Sequence, residues 1–220
     1  MLRRGALPVA LAWAIAALPA CGGADGGTST TASLPQGCQG VAMPPVKDRQ
    51  LKHPPQTVQR GEALTAVVDT SCGRFDIRLD TEQFPRTVNS FAYLARKGFY
   101  DDTIFHRIVP GFIVQGGDPL QNGQGGPGYY VTEPPPRNAT YMMGTVAMAK
   151  TSVEPAGRSG SQFFVVTAAD AGLPPKYAIL GKVSSGFDVV KRIGSLGDRA
   201  NGDGTPLATV VIRRITIQEQ

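Results

Sequence analysis

Few residues of this chain could do chemistry, and their spacing excludes most kinds of it. The 220 residues include two histidines and three cysteines, with no CxxC pair, so the ligand spacing of a metal centre is missing. Ser159 and Ser161 have no histidine and acid placed to activate them, which argues against a serine hydrolase. The stretch from Gly123 to Gly128 satisfies GxGxxG. It is followed by YYVTEPPP, which cannot open a helix, so the dinucleotide reading fails in its own context and a loop edging a cleft is the better one. Two segments remain: FHRIVPGFIVQGGD at 105–118 and GSQFF at 160–164. In them one cation, Arg107, stands among amides and aromatic rings. An arginine taken alone more often serves a surface ion pair. Among such neighbours a catalytic role is the better reading. His106 beside it resembles an acid–base group, but strand neighbours point to opposite faces. With Arg107 toward a cleft, His106 faces inward.

Holding such groups takes rigid elements, and the pattern beyond Leu64 provides them. LTAVVDTSCGRFDIRLDT reads as strands over Leu64–Asp69 and Arg74–Leu79 joined by a Ser-Cys-Gly turn. Phe75, Ile77 and Leu79 alternate with Asp76 and Arg78, as one buried face requires. Pro85 suits a first helical position. Val88, Phe91, Ala92 and Ala95 follow at helical spacing, with Arg96 and Lys97 in the last turn and Gly98 as the expected C-cap. Further strands are predicted at TIFHRIV, FIVQGG, GTVAMA, SQFFVVT, AILGKV and ATVVIRRITI. A second helix fits GFDVVKRIGSL, with Phe187, Val190 and Ile193 on one stripe. Many short strands with two helices predict an all-β dominated fold: a closed or nearly closed antiparallel barrel with the helices over its open ends.

Residues 1–20 read as a signal peptide. Two arginines precede a short apolar run, and Leu18-Pro-Ala20 leads into Cys21. Small residues running into a cysteine resemble a bacterial lipobox, with Cys21 as the lipidated first residue of the mature chain. Residues 21–60 then form an anchor cysteine and a linker, Gly/Ser/Thr-rich at first and Pro-rich after it. Such a composition offers too little apolar surface to offset its ordering entropy, so a disordered linker is expected, with residues 61–220 as the folded domain. Outside the cytoplasm a disulfide between Cys38 and Cys72 is permitted, two unpaired thiols being the alternative.

The charge balance excludes another class. The chain carries +5, and Arg3 and Arg4 belong to the leader. The remaining 20 basic and 17 acidic residues, a balance of +3, form no run. A nucleic-acid binder concentrates its cations in a patch or stripe, so no nucleic-acid partner is expected.

The two segments singled out above resemble the signature segments of the cyclophilin family, in the right order. FPRTVNSFAYLARKGFYDDTIFHRI, NGQGGPGY and AILGKV agree with them, and the resemblance covers about residues 62–217. It implies an eight-stranded antiparallel barrel capped by two α-helices, and it implies a reaction: rotation about the peptide bond before proline. That rotation faces a barrier of about 18–20 kcal/mol and needs no nucleophile, metal or cofactor. It needs a pocket that binds the twisted imide better than either planar isomer. By resemblance Arg107 is the catalytic arginine. Phe112, Ile113 and Phe164 form the proline pocket, and Gln115 and Gln162 are the amides that orient Arg107 and the substrate backbone. Ala149 lies on the peptide-binding edge, Leu173 is a further wall, and Tyr177 stands where a histidine is frequent. Two positions depart from the family: Gly172 replaces a rim aromatic, and Lys150 an asparagine. The implied partners are proline-containing unfolded or flexible polypeptides and, through the N-terminal lipid, a bacterial cell membrane; a monomer outside the cytoplasm is expected. A catalytically weak proline-peptide-binding module and an envelope chaperone are the competing classes.

Overall fold

The computed structural model describes residues 33–219. The signal peptide, the lipidation of Cys21 and most of the Gly/Ser/Thr tether lie outside these residues. The hairpin forms as its sequence predicts, from β1 (Leu64–Thr70) and β2 (Gly73–Leu79), with Thr70 opposite Gly73. The Thr70 hydroxyl closes the turn by accepting the Cys72 N–H at 3.0 Å and donating to the Gly73 carbonyl at 2.6 Å. Phe75 and Ile77 are buried while Arg74 and Arg78 face out.

Helix α1 (Pro85–Arg96) buries Val88, Phe91, Ala92, Leu94 and Ala95. Proline at its start forfeits no helical bond, because that N–H has no acceptor within the helix. The helix supplies no side-chain cap of its own. The Glu133 carboxylate does so from afar, accepting the N–H groups of Arg86 at 3.3 Å and Thr87 at 2.8 Å. The C-cap falls on Lys97, one residue before the expected Gly98.

The remaining elements are β3 (Thr103–Ile104), β4 (Arg107–Val109), β5 (Ile113–Gly116), β6 (Val131–Thr132), β7 (Thr145–Met148), β8 (Arg158–Ser159), β9 (Phe163–Val166), β10 (Ile179–Ser185), α2 (Phe187–Gly194) and β11 (Val211–Glu219). Strands β6 and β8 pair separately; the sequence pattern missed both, since two residues carry no periodicity. The other nine form one antiparallel sheet in the order β3-β11-β1-β2-β10-β7-β9-β5-β4. Its outermost strands, β3 and β4, are separated only by Phe105 and His106. The sheet therefore curls until both edges lie in one bent stretch, TIFHRIV, and counting that stretch as a single strand gives the expected eight. A bridge from Ile104 to Asp118, just past β5, ties the edges further. Helix α1 packs on β11, β6 and β10, and α2 on β2, β5 and β4. At the heart of the core, the Phe163 ring meets Phe91 at 5.7 Å, Tyr100 at 5.9 Å and Phe105 at 6.2 Å, all edge-on.

Residues 33–60 correct one expectation. They do not hang free as a linker but run along the barrel as a strap, within the same compact unit. A disulfide joins Cys38 to Cys72, and the Gln39 N–H donates to the Ser71 carbonyl at 2.8 Å. Farther on, the N–H groups of Lys47 and Leu51 donate to the carbonyls of Pro119 at 3.1 Å and Pro127 at 2.8 Å. At the end, the Asn89 Oδ1 accepts the N–H groups of Thr57 at 2.8 Å and Val58 at 3.0 Å, and its Nδ2 donates to the Pro55 carbonyl. Val58 is buried in the main core. Composition misleads here because it counts the apolar surface a segment brings with it. The strap uses surface and acceptors that the barrel already presents, and its prolines leave less chain entropy to lose.

Candidate active site

The register of three strand pairs brings the predicted residues together. Arg107 on β4 lies opposite Gln115 on β5, Gln115 opposite Phe164 on β9, and Phe164 opposite Ala147 on β7. Paired residues share a face of a sheet, so these four form a row across the outside of the barrel. Ile113, two residues before Gln115, falls on the same face. The alternate residues Ile108, Val114, Phe163 and Val165 fill the core. Ala149 is bonded through its N–H to the Gln162 carbonyl at 2.8 Å, which extends the row by one more pair.

Over this row lies a cleft of about 220 Å³ lined by Arg107, Phe112, Ile113, Gln115, Ala149, Lys150, Phe164, Leu173 and Tyr177. All the predicted catalytic and substrate-binding residues thus meet in one place except Gln162, which stands at its edge. The Gln162 Oε1 accepts from Gln115 Nε2 at 3.1 Å, while its own Nε2 donates to the carbonyls of Gly123 at 2.9 Å and Gly125 at 3.0 Å. Gln162 therefore links the cleft to the glycine-rich loop, which edges a neighbouring hollow of about 340 Å³ shared with Ala149 and Lys150. A larger hollow of about 490 Å³ lies elsewhere, among Glu62, Asp80, Glu82 and Lys182; it holds none of the residues above.

The floor of the cleft is a small apolar cluster of its own, in which Ile113, Phe164, Ala147, Val166 and Tyr141 are buried. Sequence reading passed over Tyr141. Its hydroxyl donates to the Tyr177 carbonyl at 2.7 Å and accepts the Tyr177 N–H at 2.9 Å. Its ring meets Tyr177 edge-on at 5.9 Å and Phe164 at 6.5 Å, and Phe164 meets Tyr177 edge-on at 5.5 Å. Burial pushes the Tyr141 phenol above its ordinary pKa, so it stays a neutral hydrogen-bonding post. At the rim, Gly172 is exposed at φ +60° with nothing within 4 Å of where a Cβ would sit, so no rim ring overhangs the cleft. Lys150 donates to the carbonyls of Thr151 and Glu154 and places its ammonium 5.6 Å from the centre of the Tyr177 ring.

Arg107 is held from outside the sheet. Its Nε donates to the Asp203 carbonyl at 3.2 Å, 96 residues away. The next residue, Gly204, accepts the Ile108 N–H at 2.7 Å. Gly204 has φ +90°, and a Cβ there would stand 2.8 Å from the Arg107 Cγ, so only glycine lets this loop lie against the arginine stem. Neither residue was anticipated. His106 does not turn inward as expected: the chain bends between β3 and β4, so that Phe105 and Ile108 both fill the core, and the part-buried His106 ring lines a shallow hollow with Arg107, Gln115 and Gly123. Burial above all, with the nearby Arg107 charge, lowers its pKa against the opposing pull of Asp118. A neutral imidazole puts no second cation beside Arg107. Asp118, fully buried, also went unanticipated. Its carboxylate accepts the N–H groups of Leu120 at 2.7 Å and Asn122 at 3.0 Å, as well as that of Gly123, and so shapes the glycine-rich loop from beneath.

Chemically, the cleft presents the Arg107 guanidinium, with Lys150 on its wall, and two amides beside an apolar floor. Known proteins share this chain's pattern. Residues 65–217 match the model of a family described as cyclophilin type peptidyl-prolyl cis-trans isomerase/CLD. Peptidyl-prolyl cis-trans isomerase-like 1 of Aspergillus fumigatus is 37% identical over 162 residues, covering 72% of this chain and 98% of that protein. A peptidyl-prolyl cis-trans isomerase of Arabidopsis thaliana is 35% identical over 159 residues, with 71% and 95% covered. The crystal structure of a cyclophilin type peptidyl-prolyl cis-trans isomerase of Cryptosporidium parvum, determined in the presence of the dipeptide Ala-Pro, superposes with a TM-score of 0.63. It shares 31% identity, with 71% of this chain and 99% of that one covered. By sequence and by fold, the chain belongs to the cyclophilin-type peptidyl-prolyl cis/trans isomerases.

Proposed function

We propose that this isomerase acts on X-Pro bonds of unfolded or flexible polypeptides outside the cytoplasm, with Arg107 as its catalytic residue. The observation that carries the reading is the cross-strand row in which Arg107, Gln115 and Phe164 share one face over an apolar floor. The proline ring seats on Phe112, Ile113, Phe164 and Leu173, with Tyr177 at its side, as an Ala-Pro unit requires. Gln115 and Gln162 hold the flanking peptide groups. As the imide twists it loses resonance, its nitrogen becomes pyramidal, and a lone pair emerges. The Arg107 guanidinium, fixed at its Nε by the Asp203 carbonyl, keeps its outer donors for the prolyl carbonyl and that lone pair. The charge is in place before the bond turns, so little reorganisation is needed when it does. No bond is made or broken and no proton is transferred.

The setting follows from the leader. A signal peptide over residues 1–20, with Cys21 next as the lipidated residue, supports export and lipid anchoring at a bacterial membrane, where newly exported chains await proline isomerisation. The reaction is tested by cis/trans exchange of a short Ala-Pro peptide, measured by NMR on the full chain. The wild type should accelerate exchange, and Arg107→Ala should lower kcat by about 100-fold or more with the unfolding midpoint nearly unchanged. A folded wild type that accelerates nothing would favour a proline-peptide docking module in its place.

A further inference from the structure

The glycine-rich loop at 119–128 is held from three sides, and two of them are accounted for. Asp118 gathers its N–H groups from beneath, and Gln162 binds its carbonyls at Gly123 and Gly125 from the cleft. The third side is the strap, which lies outside the family match of 65–217. Its backbone grips the loop at both ends, through the Lys47 N–H to Pro119 and the Leu51 N–H to Pro127. Between these points the Gln121 side chain donates to the Pro44 carbonyl at 3.1 Å, and Gln50 is packed directly on Gly128. The Lys47 ammonium fastens this part of the strap to the barrel through Asp102 at 2.7 Å and the Asp101 carbonyl at 3.1 Å. Arg49 does the same through the Gly98 carbonyl.

A loop with four glycines loses more chain entropy on ordering than an ordinary one, so it keeps a single shape only where its carbonyls and N–H groups are held. That shape matters to the cleft. The Gln162 amide is oriented by the Gly123 and Gly125 carbonyls, and Gln115 is oriented in turn by the Gln162 Oε1. If the loop drifts, Gln162 loses both acceptors and turns.

We infer that residues 44–51 of the strap are a positioning segment for the isomerase site, clamping the 119–128 loop so that Gln162 stays aimed at the substrate backbone; this rests on the isomerase reading above. The segment touches neither Arg107 nor the proline pocket. Gln162 holds the peptide alike in both planar isomers and in the twisted state, so loosening it weakens uniform binding: KM rises while kcat holds.

The test uses the full chain with Lys47→Pro and Leu51→Pro, each of which removes one backbone donor to the loop, and Gln121→Asn, which shortens the reach to Pro44. Each is followed by peptide exchange kinetics, thermal unfolding and hydrogen exchange at the amides of Leu120, Asn122 and Gly123. The expected result is KM raised about fivefold in either proline variant with kcat within twofold, accompanied by faster exchange at those amides. A smaller change in the same direction is expected for Gln121→Asn, which stands in if a proline variant fails to fold. Folded variants with unchanged KM would overturn the inference. So would a lower melting temperature without faster loop exchange, which would leave the strap a mere stabiliser. Loop exchange and Ala-Pro peptide affinity are read without turnover. If the wild type proves inactive, it is the isomerase reading that falls, and those two measurements still decide the strap.

Discussion

Arg107 depends on a loop far along the chain, at Asp203 and Gly204. In the proposed mechanism the guanidinium meets a twisting imide only if its stem is fixed, and the Asp203–Gly204 backbone fixes it. Gly204→Ala puts a methyl group 2.8 Å from the Arg107 Cγ at a φ of +90°, so either the loop or the arginine must move. An error of about 1 Å in a catalytic group is worth roughly 100-fold. The expected outcome is a fall of at least about tenfold in kcat/KM, measured by peptide exchange, together with a melting temperature lower by a few degrees. If kcat/KM holds, the arginine is not positioned by this loop. Arg107, Phe112 and Gln115 could be named beforehand because they lie in one short segment that resembles a signature of the family. Asp203, Gly204 and Tyr141 were not, because each acts on the site from a distant part of the chain, and no local pattern marks a carbonyl that will accept a bond 96 residues away.

The same contrast runs through the elements. On β9 the neighbours Phe163 and Phe164 look identical in sequence, yet one fills the centre of the core and the other floors the cleft. Strand alternation predicts only that they separate; the family resemblance assigns Phe164 to the pocket, and pairing with β5 and β7 is what puts it on the outer face. Phe163→Leu should lower the urea midpoint markedly, since a mismatched side chain in a close-packed core is felt, while the folded enzyme keeps kcat/KM within about threefold. Phe164→Leu should do the reverse, lowering the midpoint less and kcat/KM by about tenfold, because it reshapes the floor on which, in the proposed reading, the proline ring sits. Equal losses of activity in the two variants would sink this assignment. Helix α1 shows the limit from the other side: its apolar stripe and its proline start were legible, but its cap comes from Glu133, some 46 residues away.

At the scale of the whole molecule, the sequence describes a leader, a linker and a barrel, and the barrel claims much of the linker as a strap. If Cys21 carries the lipid, anchoring and folding are separate properties of the chain. Cys21→Ser is then expected to move the protein from the membrane fraction to the soluble one on fractionation of cells, with isomerase activity and melting temperature unaltered. A variant that stays with the membrane would point to retention by the leader itself. What the sequence determined by itself was whatever can be read over a few residues: the strand and helix periods, the turn at Ser71-Cys-Gly, and the two segments that line the cleft. The tertiary structure decided the rest: the closure of the sheet through one bent strand, the face on which each aromatic falls, the clasp on Arg107, and the strap over the glycine-rich loop. Local spacing sets the dihedral and burial preferences of a segment, whereas these four features depend on hydrogen bonds and contacts between segments far apart in the chain, which exist only once the sheet has curled.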